Sequence, residues 1–244
     1  MTLLSVERMK LFSTRSPWWC TLAAIGLTIG FAALMASQVE TSISVSTTQI
    51  GYQFGLMVIL VLATLSVTTE YRFGTIRATF QAAPNRTNVL LAKTAVVAVY
   101  AFVIGEVAAF GSLGVASVLS PESDLALTSP EQFRQVAGVG LIFAVASVVA
   151  ISVGVLLRQT AGAVTLLMIW SMLVESLVAL IPNIGPDIQK WMPFTVADNF
   201  LGTSMASQAR AEIPLGPWGS LAYFAAIAAG LLVISLVVVN RRDA

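Results

Sequence analysis

Six long apolar runs, at residues 17–36, 50–67, 94–119, 136–157, 161–181 and 218–239, follow one another along the chain with short polar connections between them. Roughly twenty apolar residues in a helix span the hydrocarbon core of a bilayer. None of the runs shows the strict alternation of a barrel strand, and a helix satisfies its own backbone in lipid. The pattern predicts an all-α membrane protein with six transmembrane helices. Between the fifth and sixth runs, residues 182–217 form a long connection rich in apolar side chains, among them Trp191, Phe194, Phe200 and Leu201. So many apolar groups do not stay in water, so this segment reads as a partly buried cap rather than an ordinary loop.

Residues 1–16 precede the first run and mix Leu4, Val6, Met9, Leu11 and Phe12 with Glu7, Arg8 and Lys10. This is the composition of a short interfacial helix leading into Trp18 and Trp19 at the membrane boundary. The first run is longer than the roughly 7–15-residue core of a cleaved signal, so it reads as a retained span.

Composition agrees with this reading. Hydrophobic residues make up 57% of the 244 residues and charged residues 10%, against about a quarter in a soluble protein. The net charge of +1 conceals an asymmetry. If both termini are cytoplasmic, the inner segments hold Arg8, Lys10, Arg15, Arg72, Arg77, Arg86, Lys93, Arg158, Arg241 and Arg242. Only Arg134, Lys190 and Arg210 lie outside. Basic residues gather on cytoplasmic connections, so the chain is expected in the cell membrane with both ends inside.

Several chemistries are excluded. The chain has no His, which removes imidazole triads, imidazole metal sites and imidazole proton relays. Cys20 is its only cysteine. No G-x-x-x-x-G-K-[ST] loop is present to cradle nucleotide phosphates. The non-membrane stretches are too short to fold as a catalytic domain. No enzymatic activity, metal site or nucleic-acid partner is expected of this chain, which reads as a single six-span domain over residues 1–244.

The most specific connection is the cytoplasmic segment 70–93. Gly74 and Thr75 open a short helix in which Ile76, Phe80 and Ala83 share one face while Arg77 and Gln81 point elsewhere. Pro84 stops it, and Asn85 or Thr87 caps the helix that becomes the third span. Such an amphipathic helix suits docking into a groove of a soluble partner, or resting on lipid headgroups.

Within the spans, Glu106 lies near the middle of the third run and Glu175 in the outer part of the fifth. A carboxylate at such depth costs a few kcal/mol or more unless it faces protein or water. Glu106 reads best as an interhelical clamp. Glu175 reads equally as a clamp or as part of a pathway, since regular helical spacing puts it on one face with Met168, Ser171, Met172 and Ala179. Gln53, Phe54 and Met57 of the second span, together with Met168 and Met172, suit an adaptable apolar cavity for a hydrophobic or amphipathic substrate. Small residues recur every four positions at Gly26 and Gly30, at Ala146, Ala150 and Gly154, and at Ala222, Ala226 and Gly230, which predicts close packing inside the subunit.

Glu70, Gly74, Thr75, Arg77, Pro84, Arg86 and Lys93, in that order after the second span, resemble the permease subunits of ABC-2-type transporters, also called type V ABC exporters. The opening Glu7–Leu11 with Arg15–Trp19 and the later Glu175 and Trp191–Phe194 extend the resemblance over essentially the whole chain. It implies that segment 70–93 carries a coupling helix for a separate ABC ATPase subunit, with Ile76 and Phe80 in the contact. It also implies a second permease half, identical or not, and short re-entrant external helices within residues 182–217. ATP and magnesium would be held by the partner, leaving no cofactor in this chain. Two other functions fit the residues alone: an autonomous proton-coupled transporter using Glu106 or Glu175, and a non-transporting membrane anchor.

Overall fold

The computed structural model describes residues 2–38, 43–83, 85–203 and 214–242. The structure is 83% helix with no strand among those residues. Six helices are long and apolar enough to cross a membrane: Ser16–Gln38, Val45–Arg72, Arg86–Leu119, Pro130–Leu157, Thr160–Val178 and Pro217–Arg241. They fall on the six apolar runs of the sequence.

The N-terminal helix α1 (Leu3–Phe12) leads into α2 (Ser16–Gln38), the first span. A short α3 (Val45–Thr48) precedes α4 (Tyr52–Arg72), and together they form the second span. Helix α5 (Thr75–Ala82) follows within three residues. Gly74 between them sits at φ 69°, in the left-handed region where a side chain is disfavoured. The third span, α6 (Arg86–Leu119), has 34 residues and is therefore about 50 Å long, well beyond the roughly 30 Å hydrocarbon core. Asn85 caps it by accepting from the Asn88 N–H at 3.2 Å.

Helix α7 (Pro130–Leu157) starts with a full capping box from Ser129 and Gln132. It is the central element: 67% of its apolar window is buried, against 17–22% for the first, fifth and sixth spans. It packs on α4, α6 and the last span, α12 (Pro217–Arg242). Phe143, Ile142 and Ile151 of α7 are fully enclosed with Ile59, Leu60 and Leu62 of α4. The approach of α6 to α7 requires glycine, since a Cβ on Gly105 would lie 2.7 Å from the Gly140 Cα.

The fifth span is broken. Helix α8 (Thr160–Ile169) gives way to a π-helical turn over Trp170–Val174 and resumes as α9 (Glu175–Val178). Two short helices, α10 (Gly185–Gln189) and α11 (Pro193–Leu201), then fold back against the body before α12. Phe194, Val196, Ala197, Phe200 and Leu201 of α11 are buried against α7 and α12. Residues 204–213 of the expected cap lie outside the described residues.

Two packing expectations need correction. Gly26 and Gly30, like Ala222, Ala226 and Gly230, lie on exposed faces, and no described residue of another element comes within 4 Å of where a Cβ on Gly26, Gly30 or Gly230 would sit. The first span instead packs through Ala24 and Thr28, into which Gly55 of α4 fits. Only the α7 stripe packs internally, with Gly154 against Val67 and Thr68. Nor does α1 simply lie along an interface. It packs on α6 with Glu7 and Leu11 buried.

Candidate functional site

At the α1 end of the molecule, four charges from three helices meet. Lys93, two turns into α6, is only 5% exposed. Its Nζ lies 2.6 Å from Glu7 Oε2 and 2.8 Å from Glu70 Oε1, the latter at the end of α4. Lys10 of α1 completes the ring, at 2.8 Å from Glu7 Oε1 and 3.5 Å from Glu70 Oε1. Its ammonium also donates to the Thr79 hydroxyl of α5 at 3.1 Å. Burial pushes the Glu7 carboxyl up, but Lys93 and Lys10 outweigh it and hold the group below the ordinary glutamate range. Burial likewise pulls Lys10 down, and Glu7 with Glu70 overcomes it to leave the ammonium above its ordinary value.

Helix α5 sits over this cluster. Phe80 is half-buried, packs against the core and lies 5.4 Å from the Arg86 guanidinium. Ile76 and Ala83 are half-buried with it, whereas Arg77, Ala78 and Gln81 are exposed. The apolar face expected to meet a partner is therefore turned toward the membrane domain, because Phe80 finds its cover within the chain. The outward face of α5 is the polar one. Of the expected coupling residues, Glu70 is in the ion-pair cluster, Thr75 donates to the Glu70 carbonyl at 3.5 Å and Gly74 makes the turn. Pro84 lies outside the described residues.

At the opposite end, Glu175 is 4% exposed and faces inward. Its carboxylate accepts from the Phe194 N–H at 3.0 Å, the Thr195 N–H at 2.6 Å and the Thr195 hydroxyl at 2.8 Å. These are first-turn groups of α11, whose own N-cap residue, Met192, provides no side-chain bond. Glu175 thus caps α11 from another helix and sets a negative charge against its N-terminus. Asp198, farther along α11, accepts from the Tyr52 hydroxyl and from Gln53 Nε2 at 3.4 Å. Helix α11 is fastened to the fifth span at its start and to the second span in its middle.

Among the described residues none of the remaining pathway candidates bonds Glu175, although Gln53 reaches α11 through Asp198. Gln53, Phe54 and Met172 are exposed on the outside of the chain, and Met57 and Met168 are half-exposed. The π turn adds a residue between Met168 and Glu175, so the regular face expected to join them does not form. Glu106 is no clamp. It packs beside Gly140, but its buried Oε1 has no hydrogen-bond partner among the described residues.

Desolvation of the partly buried carboxyl raises Asp198 from the ordinary aspartate value of 3.8 to about 6, although the Tyr52 and Gln53 bonds pull the other way. A carboxyl raised in this way holds its proton more tightly in the folded state. The native state is therefore favoured at low pH and loses that advantage as pH rises from about 4 through about 6, by roughly 3 kcal/mol at most. Thermal unfolding between pH 4.5 and 7.5 should show this slope, and Asp198→Asn should flatten it. Parallel slopes in the two proteins would show that Asp198 is not responsible.

Six helices of membrane length, with α1 and the short amphipathic α5 tied to them by buried charge, define a multi-pass membrane domain. The family profile described as ABC-2 family transporter protein matches residues 3–174, and the chain belongs to that family. It is a membrane permease of an ABC transporter, one of a family of transmembrane components that generally work with a separate ATPase subunit. No curated protein matches the chain significantly.

Proposed function

We propose that this permease is one half of a two-half exporter for a hydrophobic or amphipathic substrate, with α5 as the contact for the ATPase subunit and α11 as an external gate. The basic-residue asymmetry supports placing α1, α5 and both termini in the cytoplasm and α10 and α11 outside, in the cell membrane. ATP and magnesium are bound by the partner, which supplies the driving force.

The observation that carries the reading is the ion-pair cluster. It joins α1, α4 and α6, and reaches α5 through Lys10 and Thr79. A push on α5 as two ATPase subunits close is therefore delivered to the ends of three helices at once rather than absorbed by a loop. At the far end, the second and fifth spans hold α11 through Asp198 and Glu175. Movement of those spans relative to each other would have to loosen one fastening or carry α11 along.

A single-cysteine protein tests orientation and docking together. With Cys20→Ala and Ala78→Cys, an impermeant maleimide should label inside-out vesicles and not intact cells. Addition of the ATPase subunit should protect the site. Arg77→Glu, on the exposed face, should weaken that protection about tenfold while leaving insertion unchanged. Labelling of intact cells would reverse the topology, and undiminished labelling with the ATPase bound would remove α5 from the interface.

A further inference from the structure

A second polar site lies at the α11 end, on the side of α11 that carries Phe200. A cavity of about 600 Å³ opens between the start of α7, Phe200 of α11 and Trp218 of α12. Its walls are mainly apolar, with Leu127, Phe133, Leu141, Phe200 and Trp218, and Arg134 lines it as well. The Arg134 side chain is only 9% exposed, yet its Nη1 is buried without a hydrogen-bond partner among the described residues. Among the described residues its one ion-pair contact is long: Nη2 lies 3.6 Å from Oε1 of Glu131, a side chain 70% exposed. The guanidinium otherwise rests 5.5 Å from the Phe200 ring centroid.

A mostly buried guanidinium whose counter-ion is a distant, exposed carboxylate is poorly compensated, and its place in the cavity wall favours a closer anion there. Guanidinium groups pair best with phosphate or carboxylate oxygens, and the cavity volume falls in the range of small-molecule sites. The aromatic walls suit a hydrocarbon chain rather than water. We propose that this cavity binds an anionic amphiphile, with its phosphate or carboxylate on Arg134 and its chain along Phe133, Leu141 and Trp218. The occupant is either a phospholipid of the surrounding leaflet or a mobile amphiphile, and entry displaces the loosely held Glu131.

The test uses the full-length protein in micelles containing equal amounts of phosphatidylglycerol and phosphatidylcholine, with retained lipid counted by native mass spectrometry. Phosphatidylglycerol should be enriched on the parent protein. Arg134→Gln should reduce that enrichment roughly tenfold, the effect of losing a charge-assisted bond. Glu131→Gln removes the competing carboxylate from an exposed position and should raise the enrichment, so the result does not depend on Arg134→Gln folding well. Retention in the presence of dodecyl phosphate marks the bilayer lipid as occupant, and displacement by it marks a mobile amphiphile; either supports the proposal. Equal retention of the two lipids by the parent, enrichment that survives Arg134→Gln, or displacement by inorganic phosphate alone would overturn it.

Discussion

Replacing Lys93 with Met is expected to lower the apparent Tm by about 10 °C and to uncouple ATP hydrolysis from substrate. The ammonium is nearly enclosed and contacts two carboxylates at 2.6 and 2.8 Å. Its loss leaves Glu7 and Glu70 buried with Lys10 alone, and Lys10 stands 3.5 Å from Glu70. Breaking a buried ion pair from one side costs about 3–5 kcal/mol, since the remaining charge stays out of water uncompensated. In a protein of this size that corresponds to the stated shift. Lys10→Met should cost less, because its side chain is 34% exposed and solvent already screens its pairs. Combining Lys93→Met with Glu70→Gln should recover part of the loss, since the second change removes the stranded charge. Melting curves from detergent-solubilised protein, read with the ATPase rate of the assembled transporter, decide the matter. A Lys93→Met protein that melts with the parent would mean the cluster is solvated and carries no load.

The second large effect is expected at Glu175. Alanine leaves the Phe194 and Thr195 amides and the Thr195 hydroxyl without their acceptor, a loss of about 3–4 kcal/mol concentrated in α11. Glutamine has the same shape but one acceptor oxygen, and its amide group cannot accept from the second set of donors. It should lose about 1–2 kcal/mol and keep assembly and most transport. Hydrogen exchange of the α11 amides should accelerate strongly in the alanine protein and modestly in the glutamine protein. Unchanged exchange in Glu175→Ala would show that α11 is held by other contacts. A glutamine protein that assembles normally, keeps α11 protected and transports nothing at any pH would instead favour proton-coupled transport by this chain.

The spans could be read from the sequence because lipid leaves little choice: apolar runs of membrane length become helices. The polar turn at Gly74, the cap at Asn85 and the burial of residues around Phe194 and Phe200 were legible for related local reasons. The cluster was only half legible. Glu70 and Lys93 belong to a recognisable order of residues, but Glu7 and Lys10 meet them across sixty or more positions, and nothing in local spacing indicates that encounter. Phe80 was placed on the right helical face, but sequence spacing does not say which body covers that face. Glu175 was misplaced relative to Met168 and Met172 because a π turn is invisible to a 3.6-residue period. Among the small residues, the stripes of the first and last spans lie exposed, while Ala24 and Thr28 make the close contact. Arg134 counted in the sequence only toward orientation; its orphaned donor emerges only when α7, α11 and α12 close around it.

The cluster at the α1 end contains two lysines and two glutamates, so its formal charges cancel. Moving an elementary charge through the full membrane potential involves about 2.3 kcal/mol per 100 mV. Four charges that travel together with a sum of zero do no net work against that field. Displacement of the cluster as a unit is therefore electrically silent, and it costs the same in an energised membrane as in a depolarised one.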